Sequence, residues 1–361
     1  MENYRKSNLE LLRIVCMFLI VSFHFCVHGN LWTISNEANK IIVNIILPFG
    51  KICFDCFIVL SCWFLTNSKF KGEKFWKLWF EVLFYNILFT LIAFKFQSKD
   101  NVVGVKQIVG SLFPILGNSH GYAASYMAFY LLLPIIQKIQ AGLTKTGTLY
   151  IIYILSATQI VCPVIAQYID YMQPFTCEIL LFVLIYFIVF FIQNWPMRVL
   201  QKRGICFAIF IAVLFLAWGA NIMSIYTSNS FINFVWSIQS TESGILNILM
   251  GLLLFLIVKD FNMPYCPIIN LIASTTFGVL LFHDHNFFRL LVWKIPEGLY
   301  DYNMISAPKF ICIILFVSMC VFGVGMIVDL LRKELFESRI LRSGLFNYLV
   351  KILNQISSQF S

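Results

Sequence analysis

Apolar residues in this chain come in long stretches separated by short polar connections. That is the pattern of helices immersed in hydrocarbon on most sides. A spanning helix needs about 20 mostly apolar residues, and ten stretches answer to this: 9–27, 41–65, 78–96, 122–139, 149–168, 175–192, 205–226, 244–258, 268–287 and 308–331. The eighth is short. The stretch 102–116, interrupted by Gly110 and Pro114, reads as re-entrant or interfacial instead of spanning. The first stretch follows positive charge like a signal peptide, but it lacks a small-residue cleavage site and contains Arg13 and His24, so it reads as a retained helix. From Arg332 the chain is basic and amphipathic (LFNYLVKILNQI), which suits a helix on the inner membrane surface. The expectation is an all-α, polytopic integral membrane protein: a ten-helix transmembrane domain over 1–331 and a basic amphipathic cytoplasmic tail over 332–361. No internal repeat and no appended soluble domain is visible.

Composition agrees. Of 361 residues, 60% are hydrophobic and 12% charged, about half the charge of an ordinary soluble domain. Orientation follows from the basic residues of the connections. With the N-terminus inside, the inner segments and ends hold 17 of the Lys and Arg and the outer ones 7, with Arg13 and Lys51 inside spans. The bias places both termini in the cytoplasm of a multi-pass cell-membrane protein. It also accounts for the net charge of +9 without nucleic acid. The 11 cysteines are scattered. Cys53 and Cys56 form a C-x-x-C, but no second pair or nearby histidine completes a zinc set, so they read as small apolar filler.

Ionisable residues within spans are the informative ones, because each costs about 2.5–3.5 kcal/mol near a helix centre on insertion scales. Arg13 and His24 lie eleven residues apart, which is within about 20° of three whole turns and roughly 16 Å along the axis. Glu10 and His28 extend the stripe. Either Arg13 snorkels to the inner interface while His24 serves a helix contact, or the stripe is a binding face that joins the two membrane sides. Lys51 and Asp55, at i and i+4, read as an internal charge pair. Beyond Ser61 the run from Lys69 to Lys77 mixes lysines with aromatics, which suits anionic lipid headgroups or a phosphorylated ligand. The ninth stretch ends in His283-Asp284-His285. Adjacent helical positions point apart, so a His–Asp contact that orients a general base suits it better than a metal, and no metal is expected.

Four segments, in order, resemble the membrane acyltransferase-3 family of multispan bacterial enzymes that O-acylate surface polysaccharides. SNLELLRIVCMFLIVSFHF is similar to its first helix with R-x(10)-H, here Arg13 and His24. FDCFIVLSCWFL resembles its D-x-F-F-x-x-S-G-F run through Asp55 and Ser61, with Cys62 where Gly is usual. The basic stretch that follows has Lys74 and Lys77 where the family has paired Arg; Lys cannot make the planar bidentate phosphate contact. SYMAFYLLLPII resembles the fourth-helix pattern through Tyr126 and Pro134, with Ser125 where Trp is common, and STTFGVLLFHDHNFFRLLVW resembles the S-T-F-G-I-Y-L-x-H helix end through His283.

The resemblance implies an acyl donor, normally acetyl-CoA, supplied from the cytoplasm, and a sugar hydroxyl of a cell-surface polysaccharide as acceptor. It further implies His24 as general base or transient acyl carrier, with Arg13, Lys74 and Lys77 for the donor's phosphates and Asp55, Ser61, Tyr126, His283 and Asp284 in support. Capsule, teichoic acid, other wall polymers, exopolysaccharide and peptidoglycan all fit the acceptor class; acetyl is the family's usual group and succinyl the alternative. The rival readings are a transporter or flippase of a glycan or lipid-linked intermediate, which paired half-repeats would favour, and a scaffold without chemistry. Oligomeric state is unassigned.

Overall fold

The computed structural model describes residues 6–96, 103–116, 120–166, 177–241 and 243–360. Arg5, Lys99, Val102, Ser361 and the stretch ends at 167–168 and 175–176 lie outside the described residues. The described residues form helices and turns, with no strand among them. That follows from the composition, since in lipid a helix satisfies every backbone N–H and C=O within its own segment.

In chain order the helices are α1 Ser7–His28, α2 Glu37–Leu65, α3 Gly72–Lys95, α4 Val105–Gly110 and α5 Gly121–Ala141. Then come α6 Lys145–Ala166, α7 Glu178–Asn194, α8 Arg203–Tyr226, α9 Ser230–Ser240, α10 Ile245–Val258 and α11 Pro267–His283. The last three are α12 Arg289–Glu297, α13 Ala307–Leu341 and α14 Gly344–Ser357. Side chains cap several starts: Asn36 accepts from Asn39 N, Thr144 from Gly147 N and Ser343 from Phe346 N, which satisfies donors the first turn leaves open.

Over the described residues, helix covers most of each of the ten expected stretches, though the ninth ends at His283 instead of 287. Six helices, α1, α2, α3, α6, α8 and α13, are long and apolar enough to cross a membrane, while α7, α10 and α11 are shorter apolar helices. The α5 helix has the length, but Tyr122, Tyr126, Tyr130, Gln137 and Gln140 make it more polar. Within 102–116 the one helix among the described residues is the six-residue α4. The last long helix does not stop at Leu331; it continues through a π-helical turn, Lys333–Glu337, to Leu341. Polarity is inverted relative to a soluble protein. Phe316, Met319, Ile327 and Leu331 of α13 lie exposed, while Asn39, Asp55, Asn86, Thr90 and Asp329 are fully buried.

Two compact units share the chain. One comprises Met1–Asn67, Leu143–Ser274 and Asp301–Ser318; the other comprises Ser68–Gly142, Thr275–Tyr300 and Met319–Ser361.

In the first unit α1 packs along α2, and α2 packs on α10. Two glycines set both approaches. A Cβ on Gly50 of α2 would fall 2.1 Å from the Phe23 ring of α1, and one on Gly251 of α10 would fall 2.8 Å from the Cys56 nitrogen and 3.0 Å from Asp55 Cβ. Polar side chains tie α1 down near each end. Near its start Asn8 Nδ2 donates to Val258 O at 2.9 Å, and Ser7 Oγ accepts from Cys266 N at 2.8 Å. Further along, the hydroxyls of Ser22 and Ser318 meet at 3.0 Å. On α2, Cys62 fills the place where a glycine would leave a gap, its Sγ 4.0 Å from Phe182 O of α7.

In the second unit α3 packs on α5 and α14, and the end of α11 sits against α13 through two further glycines. A Cβ on Gly278 would lie 2.3 Å from the Asp329 carboxyl, and one on Gly325 would lie 3.2 Å from Val279 Cα. Arg332 of α13 is 4% exposed and reaches Asp329 (2.8 Å), Glu337 (3.0 Å) and Glu81 of α3 (3.1 Å). Tyr85 donates to Asp329 at 3.1 Å and Lys333 pairs with it at 3.0 Å. The segment from Arg332 onward is thus held to α3 by ion pairs. Its final helix α14 docks by one edge, where Phe346 is buried and Asn354 Oδ1 accepts from Gly72 N at 2.8 Å.

Candidate functional site

In the first unit the side of α1 that carries Arg13 and His24 is partly sheltered. Glu10, Met17, Ile20 and Val21 on that side are buried, and Arg13, His24 and His28 are half-buried. The exposed apolar residues, Leu11 and Val15, project about 160° away from Arg13. The Arg13 guanidinium, 27% exposed, has Glu10 at 3.6 Å, a long contact for so strong a donor. The His24 ring lies between Phe23 (centroids 5.2 Å) and His28 (5.3 Å). Here the Gly50 approach matters, because it lets α2 close on α1 at the level of Phe23 and His24. Lys51 places its Nζ 5.8 Å over the Phe23 ring. Asp55 is fully buried, opposite Gly251, and Ser61 is half-buried further along α2. Cys16, three residues past Arg13, is buried with its thiol within hydrogen-bonding reach of both Cys53 and Cys56. The C-x-x-C therefore has a third thiol that spacing could not reveal.

In the second unit Lys74 is exposed near the start of α3, and Lys77 is paired with Glu337 at 3.2 Å. Tyr126 is the middle rung of a tyrosine ladder on α5. Its ring is parallel to Tyr122 at 6.4 Å and 6.4 Å from Tyr130. Tyr130, which sequence reasoning passed over, bonds the backbone of Lys71 and so links α5 to the basic loop. Spacing of i and i+4 was the available signal.

His283 is fully buried. Its Nδ1 is 2.6 Å from the Val279 carbonyl and its ring stands edge-on to Trp293 at 6.1 Å. A proton on Nδ1 satisfies that carbonyl and leaves Nε2 as the basic nitrogen. Asp284 forms an ion pair with Arg289 at 3.2 Å. His285 is also buried; its Nδ1 accepts from Phe288 N at 3.2 Å, and its Nε2 is 3.4 Å from Thr90 Oγ1 of α3. His120, just ahead of α5, faces the His285 ring at 5.0 Å. Burial, reinforced by His285, His283 and Arg289, holds its pKa well below the usual imidazole range, so it is neutral.

The structure therefore brings Arg13, His24, Asp55 and Ser61 into one unit and Lys74, Lys77, Tyr126, His283 and Asp284 into the other. A family model described as an acyltransferase domain matches residues 6–342. The chain belongs to the acyltransferase-3 family. It is a membrane acyltransferase, multi-pass by its apolar helices. No curated protein and no solved structure matches the chain. For an acyltransferase the chemical demands are a base for an acceptor hydroxyl and a cation for an anionic donor. A single helix, α1, offers an imidazole and a guanidinium on one side.

Proposed function

We propose that this acyltransferase moves an acyl group, acetyl in the usual case, from cytoplasmic acyl-CoA to a hydroxyl of a cell-surface polysaccharide outside the membrane. The reading includes ten spanning helices in the cell membrane, both termini cytoplasmic, and α14 on the inner surface. The carrying observation is the stripe of α1, with Arg13 near one end and His24 roughly 16 Å further along, beyond the reach of either side chain but within the length of an extended pantetheine arm.

Arg13 binds donor phosphate, and exposed Lys74 is a further phosphate contact; Lys77, held by Glu337, contributes field more than contact. His24 takes the proton of the acceptor hydroxyl as that oxygen bonds to the thioester carbonyl carbon. The C–S bond breaks, CoA departs as thiolate, and the imidazolium returns the proton to it. In the covalent version His24 carries the acyl group first and a hydroxyl then removes it. The other candidates, Asp55, Ser61, Tyr126, His283 and Asp284, support these steps.

The test is transfer of label from acetyl-CoA to glycan in membranes. His24→Ala is expected to lower transfer by about 10²–10⁴-fold at normal membrane abundance. An active, normally inserted alanine variant overturns the assignment, and absence of any transfer by the unaltered protein favours a transporter.

A further inference from the structure

From Ser338 onward the chain carries three cations, Arg339, Arg342 and Lys351, and no Asp or Glu. All three are exposed, and among the described residues none of them forms an ion pair. The cations just before them differ, since Arg332 and Lys333 are held by Asp329, Glu81 and Glu337. The last segment thus presents positive charge that its own unit does not answer.

The helix α14 has three faces. Phe346, Val350 and Leu353 form the docked edge: Phe346 is buried, and a Cβ on Gly72 of α3 would meet the Val350 carbonyl at 3.2 Å and Leu353 Cβ at 3.3 Å. Asn347, Lys351 and Asn354 form a polar face. Between these lie Leu345, Tyr348, Ile352 and Ile356, within about 80° of one another, and 62%, 63%, 36% and 51% exposed. Lys351 borders that apolar face, about 60° round from Tyr348.

Position and charge narrow what covers the face. The α3 helix is long and apolar enough to cross a membrane, and α14 docks on its first residue, Gly72, while the Phe346 ring reaches Phe80 at 6.4 Å. That places α14 beside the end of a spanning helix, where headgroups meet hydrocarbon. A helix with an exposed apolar face bordered by cations lies in that interface and is drawn to anionic lipid.

We infer that α14, with Arg339, Arg342 and Lys351, is a docking surface for anionic phospholipid. Its apolar face lies among acyl chains and its cations meet headgroup phosphates. The contact also seats the start of α3, because Asn354 Oδ1 accepts from Gly72 N at 2.8 Å. The inference rests on the inner-surface placement of α14 proposed above and names the lipid that holds it there.

Amide hydrogen exchange on the full-length protein tests this in two nanodiscs, phosphatidylcholine alone and equal parts phosphatidylcholine and phosphatidylglycerol. Exchange across Gly344–Ser357 and the first turn of α3 should be slower in the anionic disc, about fivefold for each cation engaged. Salt should reduce the difference, and the triple variant Arg339→Gln, Arg342→Gln, Lys351→Gln should lose it. A second variant, Leu345→Gln with Ile352→Gln, should exchange faster in both discs, because hydrocarbon rejects the amides. Equal exchange in the two discs, or a difference that the triple variant keeps, overturns the inference. So does equal slowing by free glycerol phosphate in phosphatidylcholine discs, which marks a soluble anion's site. Unchanged exchange in the Leu345→Gln, Ile352→Gln protein means the face meets water, and protection only where two copies share a disc means a second copy covers it; either result overturns the lipid surface. None of these readouts uses transfer. A lipid effect without acyl transfer keeps this inference and removes the reaction proposed above, and transfer without a lipid effect does the reverse.

Discussion

Arg13 in the first unit and Arg332 in the second are the same residue in opposite employment. Arg332 is 4% exposed and holds three carboxylates within 3.1 Å; Arg13 is 27% exposed and has one carboxylate at 3.6 Å. A guanidinium whose charge is answered by three carboxylates of its own protein has little left to offer a ligand. One with a single long contact keeps its charge and most of its donors in reserve. The difference separates a cation that holds helices together from one that can meet a substrate, and the two regions should answer mutation in different units: stability for α13, kinetics for α1.

The largest contrast comes from Arg332→Ala, which takes the cation from Glu81 and leaves buried Asp329 with Lys333 and Tyr85 alone. Breaking a buried pair from one side typically costs about 3–5 kcal/mol, so thermal unfolding in nanodiscs should show a severely destabilised protein. Survival with only a small drop would mean the network is dispensable. Next come the glycines that set each region. Gly278→Ala drives a methyl into the Asp329 carboxyl, 2.3 Å from where its Cβ would stand, and Gly50→Ala drives one into the Phe23 ring at 2.1 Å. Overpacking of this kind costs roughly 1–3 kcal/mol. In α11 the loss should appear in melting temperature; in α2 it should appear chiefly as reduced transfer, because the Phe23 ring can shift but carries His24 with it. Equal effects of both on stability alone would erase the distinction.

Arg13→Ala should raise the donor KM about tenfold, the loss of a charged hydrogen bond. Its melting temperature should fall less than that of Arg332→Ala, since one contact at 3.6 Å is lost instead of three within 3.1 Å. A collapse in stability with donor KM unchanged would make Arg13 a second Arg332.

The amphipathic logic of the spans was legible because hydrocarbon leaves the backbone no alternative to a helix. That Arg13 and His24 share one side of α1 was legible too, because helical spacing carries it. Partners across helices were less so. Glu81 and Asp329 sit within apolar stretches where any charge calls for explanation. The pairing of Asp329 with Arg332 and Lys333 at i+3 and i+4 was the signal on offer. Asp284 was expected to contact a histidine; it pairs with Arg289, five residues on, and a backbone carbonyl meets His283 Nδ1.

The smallest effect separates two neighbouring lysines of α3. Lys77 is 39% exposed and tied to Glu337 at 3.2 Å, so Lys77→Ala removes a surface pair worth at most about 1 kcal/mol and frees the last turns of α13 from one anchor. Lys74, one turn earlier, points outward, so Lys74→Ala takes a point charge from any phosphate placed there. Raising ionic strength should weaken donor binding in the protein that retains Lys74 and do so less in Lys74→Ala, because an exposed charge is screened within about 10 Å at 0.1 M salt. Lys77→Ala should keep the full salt dependence. If the two lysines exchange these behaviours, Glu337 does not neutralise Lys77 in the working enzyme, and the division between holding cations and binding cations fails at its weakest point.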